Sequence, residues 1–204
     1  MKFHELLKSK KHSLVISLPA NDAKLAEISW AEGVDAVKVH INVAHKASGT
    51  AFLSFAEEKE VLSQIIAEAK GHCGIVPGVG VDAVYGDYKN AINAGFTFTS
   101  LYAHDMPIEL ANETSISKMV AFDGSYEIED LKHLEKYGAD IFEASIVEPE
   151  TYGQRLSFRE LVRYARICEA TSLPVLLPTQ RKILSAEIGN IISAGVKATM
   201  IGAI

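Results

Sequence analysis

Little in this chain can cross-link, grip nucleic acid or cross a membrane. Cys73 and Cys168 are the only cysteines in 204 residues, and no secretory signal precedes them. They are expected to be reduced thiols in or near the core of a cytoplasmic protein. Basic residues are scarce: 20 Lys and Arg against 26 Asp and Glu leave a net charge of −6, which offers no electrostatic footprint for nucleic acid. Long hydrophobic runs are missing too. The first, LVISLPA (14–20), follows the basic MKFHELLKSKKHS but lacks a small-residue cleavage pattern. It is too short to span a bilayer and reads as a first strand. No GxGxxG, Walker loop, CxxC or GxSxG occurs, so the common nucleotide, redox and serine-hydrolase signatures are excluded.

What is present is a soluble, globular composition, 48% hydrophobic and 23% charged. Eight short apolar runs recur: LVISLPA (14–20), AVKVHIN (36–42), GIVPGVG (74–80), FTSLYAH (98–104), MVAFDGS (119–125), IFEASIV (141–147), PVLLPTQ (174–180) and ATMIGAI (198–204). Between them, stretches such as AEEKEVLSQIIAEAK (56–70), YEIEDLKHLEKYG (126–138) and SFRELVRYARICEATS (157–172) carry apolar residues three and four apart, the helical period. Asn21–Asp22, Ser125 and Ser157 stand where N-caps belong. Strands alternating with helices predict a parallel sheet.

Gly33, Gly95, Gly138 and Gly195 each follow a helical stretch and precede runs two, four, six and eight, as left-handed helix-ending residues do. A two-strand unit used four times predicts one domain over 1–204, a closed (β/α)8 barrel of the α/β class. A doubly wound open sheet is the competing architecture and normally has fewer strands. The last run ends the chain at Ile204, so the barrel is expected to be C-terminally incomplete, without its eighth helix. The apolar strip thereby bared on strands eight and one is expected to be covered by further chain, by a partner or by the N-terminal FHELL.

Run two carries the first hint of chemistry. Side chains alternate across a strand, so Val37, Val39 and Ile41 share one face, and Lys38, His40 and Asn42 the other. If the apolar face packs on the helices, the polar one looks into the barrel and rises toward its C-terminal mouth. The opposite register, with Lys38 lying between helices, is the competing arrangement. By the same alternation Glu143 and Ser145 point inward from run six, and Ser100, Tyr102 and His104 from run four. Ser17, Asn21 and Asp123 sit at strand tips, and Thr179, Gln180 and Arg181 follow run seven.

A buried lysine needs a carboxylate partner, and Glu143 and Asp123 are the available ones. Lys38 and Glu143 are therefore candidate acid and base for proton transfer beside a carbonyl, with His40 and Asp123 assisting. Lys38 as a Schiff-base amine, or as half of a purely structural pair, stays open. A divalent ion held by His40, His104, Asp123 and Glu143 is a weaker alternative, because no short-range ligand motif is present. Two mouth loops complete the picture. VAHKASGTAF (43–52) reads as a lid or an ordinary loop, and EPETYGQRLSF (148–158) carries Tyr152 and Arg155.

The closing third, LPVLLPTQRKI through ISAGVKATMIGAI, with Gly195 before the last strand and Gly202–Ala203 at its end, resembles ribulose-phosphate-binding (β/α)8 barrels. That group includes N-acetylmannosamine-6-phosphate epimerase and the small keto-deoxy-phosphogluconate-type aldolases. VAFDGS is similar to the epimerase's fifth strand. The resemblance implies an enzyme acting on a small phosphorylated sugar or keto acid, by epimerisation, isomerisation or retro-aldol cleavage, with a phosphate site after strands seven and eight. Gln180, Arg181, Gly202 and Ala203 are the candidates there, with Ser17, Asn42, His104 and Ser145 as further substrate contacts. A non-catalytic metabolite sensor is the alternative in a different class. By analogy a homo-oligomer, a dimer, is expected. The chain departs from the group in having Glu143 where the small aldolases place their lysine, in lacking the pentulose-phosphate epimerases' metal motifs, and in ending strand seven with PTQRK.

Overall fold

Each of the eight apolar runs forms a parallel strand in the computed structural model, which describes residues 1–45 and 48–202. In chain order the elements are α1 (Phe3–Ser9), β1 (Ser13–Ser17), α2 (Ala23–Ala31), β2 (Ala36–His40), β3 (Val43–His45), β4 (Thr50–Phe52), α3 (Phe55–Ala67), β5 (His72–Val76), α4 (Val81–Ala94), β6 (Phe98–Tyr102), α5 (Ile108–Ala111), β7 (Ser117–Phe122), α6 (Asp130–Lys136), β8 (Ile141–Ala144), α7 (Phe158–Ala170), β9 (Val175–Pro178), α8 (Ile188–Ser193) and β10 (Ala198–Ile201). All but β3 and β4 join one closed barrel in chain order, with β10 pairing back on β1. β3 and β4 form a small antiparallel hairpin over the mouth. Among the described residues no helix is long and apolar enough to cross a membrane.

Local chemistry sets most boundaries. The Asp22 carboxylate accepts from Lys24 N and Leu25 N to start α2, and Ser54 and Ser157 open α3 and α7 with capping boxes closed by Glu57 and Glu160. Ser125 does not cap a helix. Its N–H and hydroxyl are both captured by Asp123 Oδ1, at 2.9 and 2.6 Å, and α6 begins only at Asp130. The four repeat glycines hold φ between +81° and +118°. At Gly138 a Cβ would also sit 2.2 Å from the Ala111 carbonyl oxygen.

The barrel packs in two shells. Outward faces of the strands meet the helices: Val37, Val39 and Ile41 pack with Leu62 and Ile65 of α3, and Phe142, Ala144 and Ile146 with Tyr164 and Ile167 of α7. Inside, alternation and register stack side chains in layers drawn from alternate strands. Ala36, Phe98, Ile141 and Ala198 form the lowest layer, with Val15, Met119 and Leu176 above them, all buried. Gly74 occupies the fourth place in that upper layer because the Phe98 ring already fills it: a Cβ there would lie 2.1 Å from the ring. Lys38, Ser100 and Glu143 come next, so the polar cavity begins where the apolar filling stops.

The FHELL segment forms part of α1, but it does not cover strands eight and one. Phe3 and Leu7 are fully buried in the lowest interior layers, with the Phe3 ring stacked on Phe98 at 4.3 Å. The helix closes the N-terminal end of the barrel, where the interior side chains are apolar and aromatic contact outweighs coverage of an outer strip. The outer faces of β1 and β10 stay partly open: Leu14 and Ile16 are half-buried and Ile201 is 43% exposed.

Candidate active site

At the C-terminal end the barrel opens into a cavity of about 480 Å³, whose lining includes Ser17, Lys38, His40, His45, Ser100, Tyr102, Asp105, Glu143, Ser145, Tyr152, Gln180 and Gly202. β2 and β8 lie four strands apart around the eight-stranded ring, so Lys38 and Glu143 enter from opposite walls and meet at the floor. Lys38 Nζ is 3.4 Å from Glu143 Oε2 and 3.5 Å from Ser100 Oγ. The Ser100 hydroxyl donates to the same Oε2 at 2.8 Å, and Ser145 donates to Oε1 at 3.2 Å. Glu143 is thus held by two hydroxyls and a cation. Lys38, with two long contacts for three donors among the described residues, keeps capacity for another partner.

His40 stands one layer higher. Its backbone is clamped by Asn21, which donates from Nδ2 to His40 O at 2.6 Å and accepts from His40 N at 3.3 Å. Its ring packs at 4.8 Å from both His45 and Phe52, and its buried Nδ1 has no partner among the described residues. Burial, then the Lys38 and His45 charges, hold His40 well below the ordinary histidine range, so its ring is neutral at physiological pH. Tyr102 is pushed up to about 12 by burial and by the Glu143 carboxylate, and is a neutral hydroxyl. Gln180 is fixed from both sides: Oε1 accepts from Val147 N at 3.3 Å, and Nε2 donates to the Tyr152 hydroxyl at 2.7 Å.

The structure therefore brings together Lys38, His40, Glu143, Ser17, Ser145, Gln180 and Gly202, and four other candidates fall elsewhere. Asp123, bound to Ser125, lines a separate cleft of about 100 Å³ beside Arg163 and Arg166. Arg181 turns outward: Nε donates to Glu160 Oε1 at 2.6 Å and Nη1 to the Thr151 carbonyl, a buried structural pair rather than an anion clamp. His104 is in a short turn beyond β6, largely exposed and stacked on Tyr102. Asn42 lies past the end of β2 with φ +52°, where its amide donates to Asp87 Oδ2 at 2.8 Å and to Pro77 O at 3.2 Å. Two-residue alternation ends with the strand, so past its end the side-chain direction is set by the local turn rather than by the pleat. Ala203 lies outside the described residues.

Arg155 pairs with Glu187 at 3.1 Å and does not reach the cavity. Among the described residues no cluster of three or more His, Cys, Asp or Glu is placed to hold a metal ion; His104 and Asp123 lie away from His40 and Glu143. Ser100 and Tyr102 carry more of the site than their sequence position alone suggested, and Asp105 was carried by no alternation at all. Within the segment 43–52, residues 43–45 and 50–52 pair as β3 and β4, which places Val43 and His45 on the cavity wall, and residues 46 and 47 lie outside the described residues.

A closed, parallel, eight-stranded barrel with its cavity at the C-terminal mouth is a (β/α)8 fold, and solved structures agree. The chain is similar to thiamine phosphate pyrophosphorylase from Pyrococcus furiosus at 18% identity and a TM-score of 0.65, over 95% of this chain and 86% of that one. It is similar to the tryptophan synthase α-subunit of the same organism at 13% and 0.74, over 94% and 87%. Tryptophan synthase from M. tuberculosis matches at 11% and 0.70, over 98% and 87%. At these identities the likeness is one of fold. No protein-family model and no curated protein sequence matches the chain.

Proposed function

We propose that this barrel is an enzyme that moves a proton at the carbon next to the carbonyl of a small sugar or keto acid, as an epimerase, isomerase or retro-aldol lyase does. One observation carries the reading: Lys38 and Glu143 converge from opposite walls on the floor of an open cavity, 3.4 Å apart, with Ser100 and Ser145 orienting the carboxylate. In epimerisation or isomerisation Glu143 accepts the proton from carbon and a proton is returned to the enolate. In retro-aldol cleavage it accepts the β-hydroxyl proton as the carbon–carbon bond breaks, and the enolate carbon is then protonated. The Lys38 ammonium faces the carbonyl oxygen, where negative charge grows as the enolate forms. His40, neutral and one layer above, is a second hydrogen-bonding group for the same oxygen. A phosphorylated form of the substrate draws on the likeness in fold to thiamine phosphate pyrophosphorylase and would carry its phosphate away from Glu143 and Asp105; Arg181 does not serve it, its guanidinium being committed to Glu160.

The test is exchange of carbon-bound protons in D2O, followed by proton NMR over a panel of sugars, their phosphates and keto acids. Wild-type protein exchanges at least one compound. Lys38→Met and Glu143→Gln, each checked for folding by circular dichroism, reduce the rate by about a hundredfold or more. Exchange that survives both substitutions rejects the assignment of the pair. Binding without any exchange returns the cavity to a metabolite sensor.

A further inference from the structure

The cavity holds a second carboxylate that proton transfer does not use. Asp105 ends a short turn (103–105) after β6, is only 6% exposed, and lies on the cavity wall near Gly78 and Val79. Its Oδ1 accepts the Gly80 N–H at 2.8 Å, which pins the turn leading into α4. Among the described residues its Oδ2 has only His104 Nε2 at 3.8 Å, beyond hydrogen-bond reach. Two carboxylate oxygens accept about four hydrogen bonds, so Asp105 retains acceptor capacity at the wall of a cavity built to hold a ligand.

Charge bookkeeping sharpens this. Among the described residues lining the cavity, the full charges are those of Lys38, Glu143 and Asp105. Lys38 and Glu143 offset each other at 3.4 Å, which leaves the described part of the wall net negative. His40 and His45 do not change the balance, because burial first and then the Lys38 charge keep both below the ordinary histidine range. A ligand carboxylate lodged beside Lys38 would face two like charges in a place of low dielectric, where such repulsion is poorly screened. A ligand hydroxyl meets the opposite condition. It finds a charged acceptor at Asp105, and Val43, Val76, Leu101 and Met200 give its carbon chain apolar walls.

We propose that Asp105 is the specificity residue of this cavity, and that by accepting a hydrogen bond from a substrate hydroxyl it selects a hydroxyketone or open-chain sugar over a keto acid. The carbonyl in that substrate rests on the proton-transfer reading of Lys38 and Glu143; the preference for hydroxyl over carboxylate stands on Asp105. The residue also has a structural task at Gly80, and Asp105→Asn separates the two. An asparagine oxygen still accepts the Gly80 N–H, whereas the charge is gone.

Two matched pairs differ by one terminal CH2OH against carboxylate: dihydroxyacetone with hydroxypyruvate, and fructose with 2-ketogluconate. Dissociation constants for all four come from ligand-observed NMR titration of the whole chain. Wild-type protein binds the neutral member of each pair about tenfold or more tightly than the acid, and Asp105→Asn narrows that gap about tenfold. An acid that binds as well as its neutral partner, no binding of either neutral compound, or an unchanged gap in folded Asp105→Asn overturns the assignment. If Asp105→Asn does not fold, the wild-type ratios decide alone. Proton exchange measured on the same samples keeps the two ideas apart. Tight acid binding with Lys38-dependent exchange sinks the role of Asp105 and leaves proton transfer standing. Selective neutral binding without exchange does the reverse.

Discussion

Lys38→Met should destabilise the barrel by about 3 kcal/mol, and the size follows from what the substitution strands. The Lys38 and Glu143 side chains are 7% and 9% exposed, so both charges sit largely out of water. Removing one member of such a pair typically costs about 3–5 kcal/mol, because the other is left buried and uncompensated. Two features place this case at the low end. The Nζ–Oε2 distance of 3.4 Å is long for a charge-assisted hydrogen bond. Glu143 also keeps the Ser100 and Ser145 hydroxyls at 2.8 and 3.2 Å, which partly solvate the stranded carboxylate. The methionine, similar in length, leaves no large void. Adding Glu143→Gln to Lys38→Met removes the stranded charge and should recover about 2 kcal/mol, a coupling expected only of groups in direct contact. Urea denaturation at neutral pH, followed by circular dichroism, gives the values, provided the slope with denaturant is unchanged. A single variant within about 1 kcal/mol of wild type, or a double variant no more stable than the single, would refute a buried, coupled pair at the cavity floor.

Phe3→Ala should cost about 3–5 kcal/mol in the same assay, since it empties a fully buried site stacked on Phe98; a loss under about 1 kcal/mol would mean α1 does not plug the barrel in solution. His40 supplies a pH signature. Its folded value is held far below the ordinary one of about 6.5, so the unfolded chain binds a proton that the folded chain refuses. Its contribution to stability is therefore complete above about pH 6.5 and is lost as pH falls below it, by up to about 1.4 kcal/mol per pH unit. His40→Gln should flatten the stability profile between about pH 6.5 and 5 by roughly one proton. His12, His45 and His72, shifted the same way, act equally in both proteins, so identical slopes would contradict a neutral, buried His40.

The strand count, the parallel order and the inward face of each strand were all present in local pattern. Eight apolar runs, helix-ending glycines and two-residue alternation are short-range properties, and the burial of Val37, Val39 and Ile41 against helices forces Lys38 and His40 to the other side. Alternation likewise placed Glu143 and Ser145 on the cavity wall, because each lies in a paired strand or one residue past it, and Ser17, read as a strand-tip residue, lies there too. It failed where strands end. Asp123 looked like a strand-tip acid, but its own local turn with Ser125 satisfies it first. Arg181 looked like an anion clamp, and only the packing of α7 beside the β9–α8 loop supplies Glu160 as its partner. Which lysine meets which carboxylate is a property of ring closure: β2 and β8 are more than a hundred residues apart in the chain and become opposite walls only when β10 pairs with β1. The same closure aims Asp105 at the cavity and turns α1 into a plug rather than an outer cover. Sequence determines the faces of its elements because those depend on neighbours two to four residues away, whereas the contents of a cavity depend on elements that meet only once the barrel is shut.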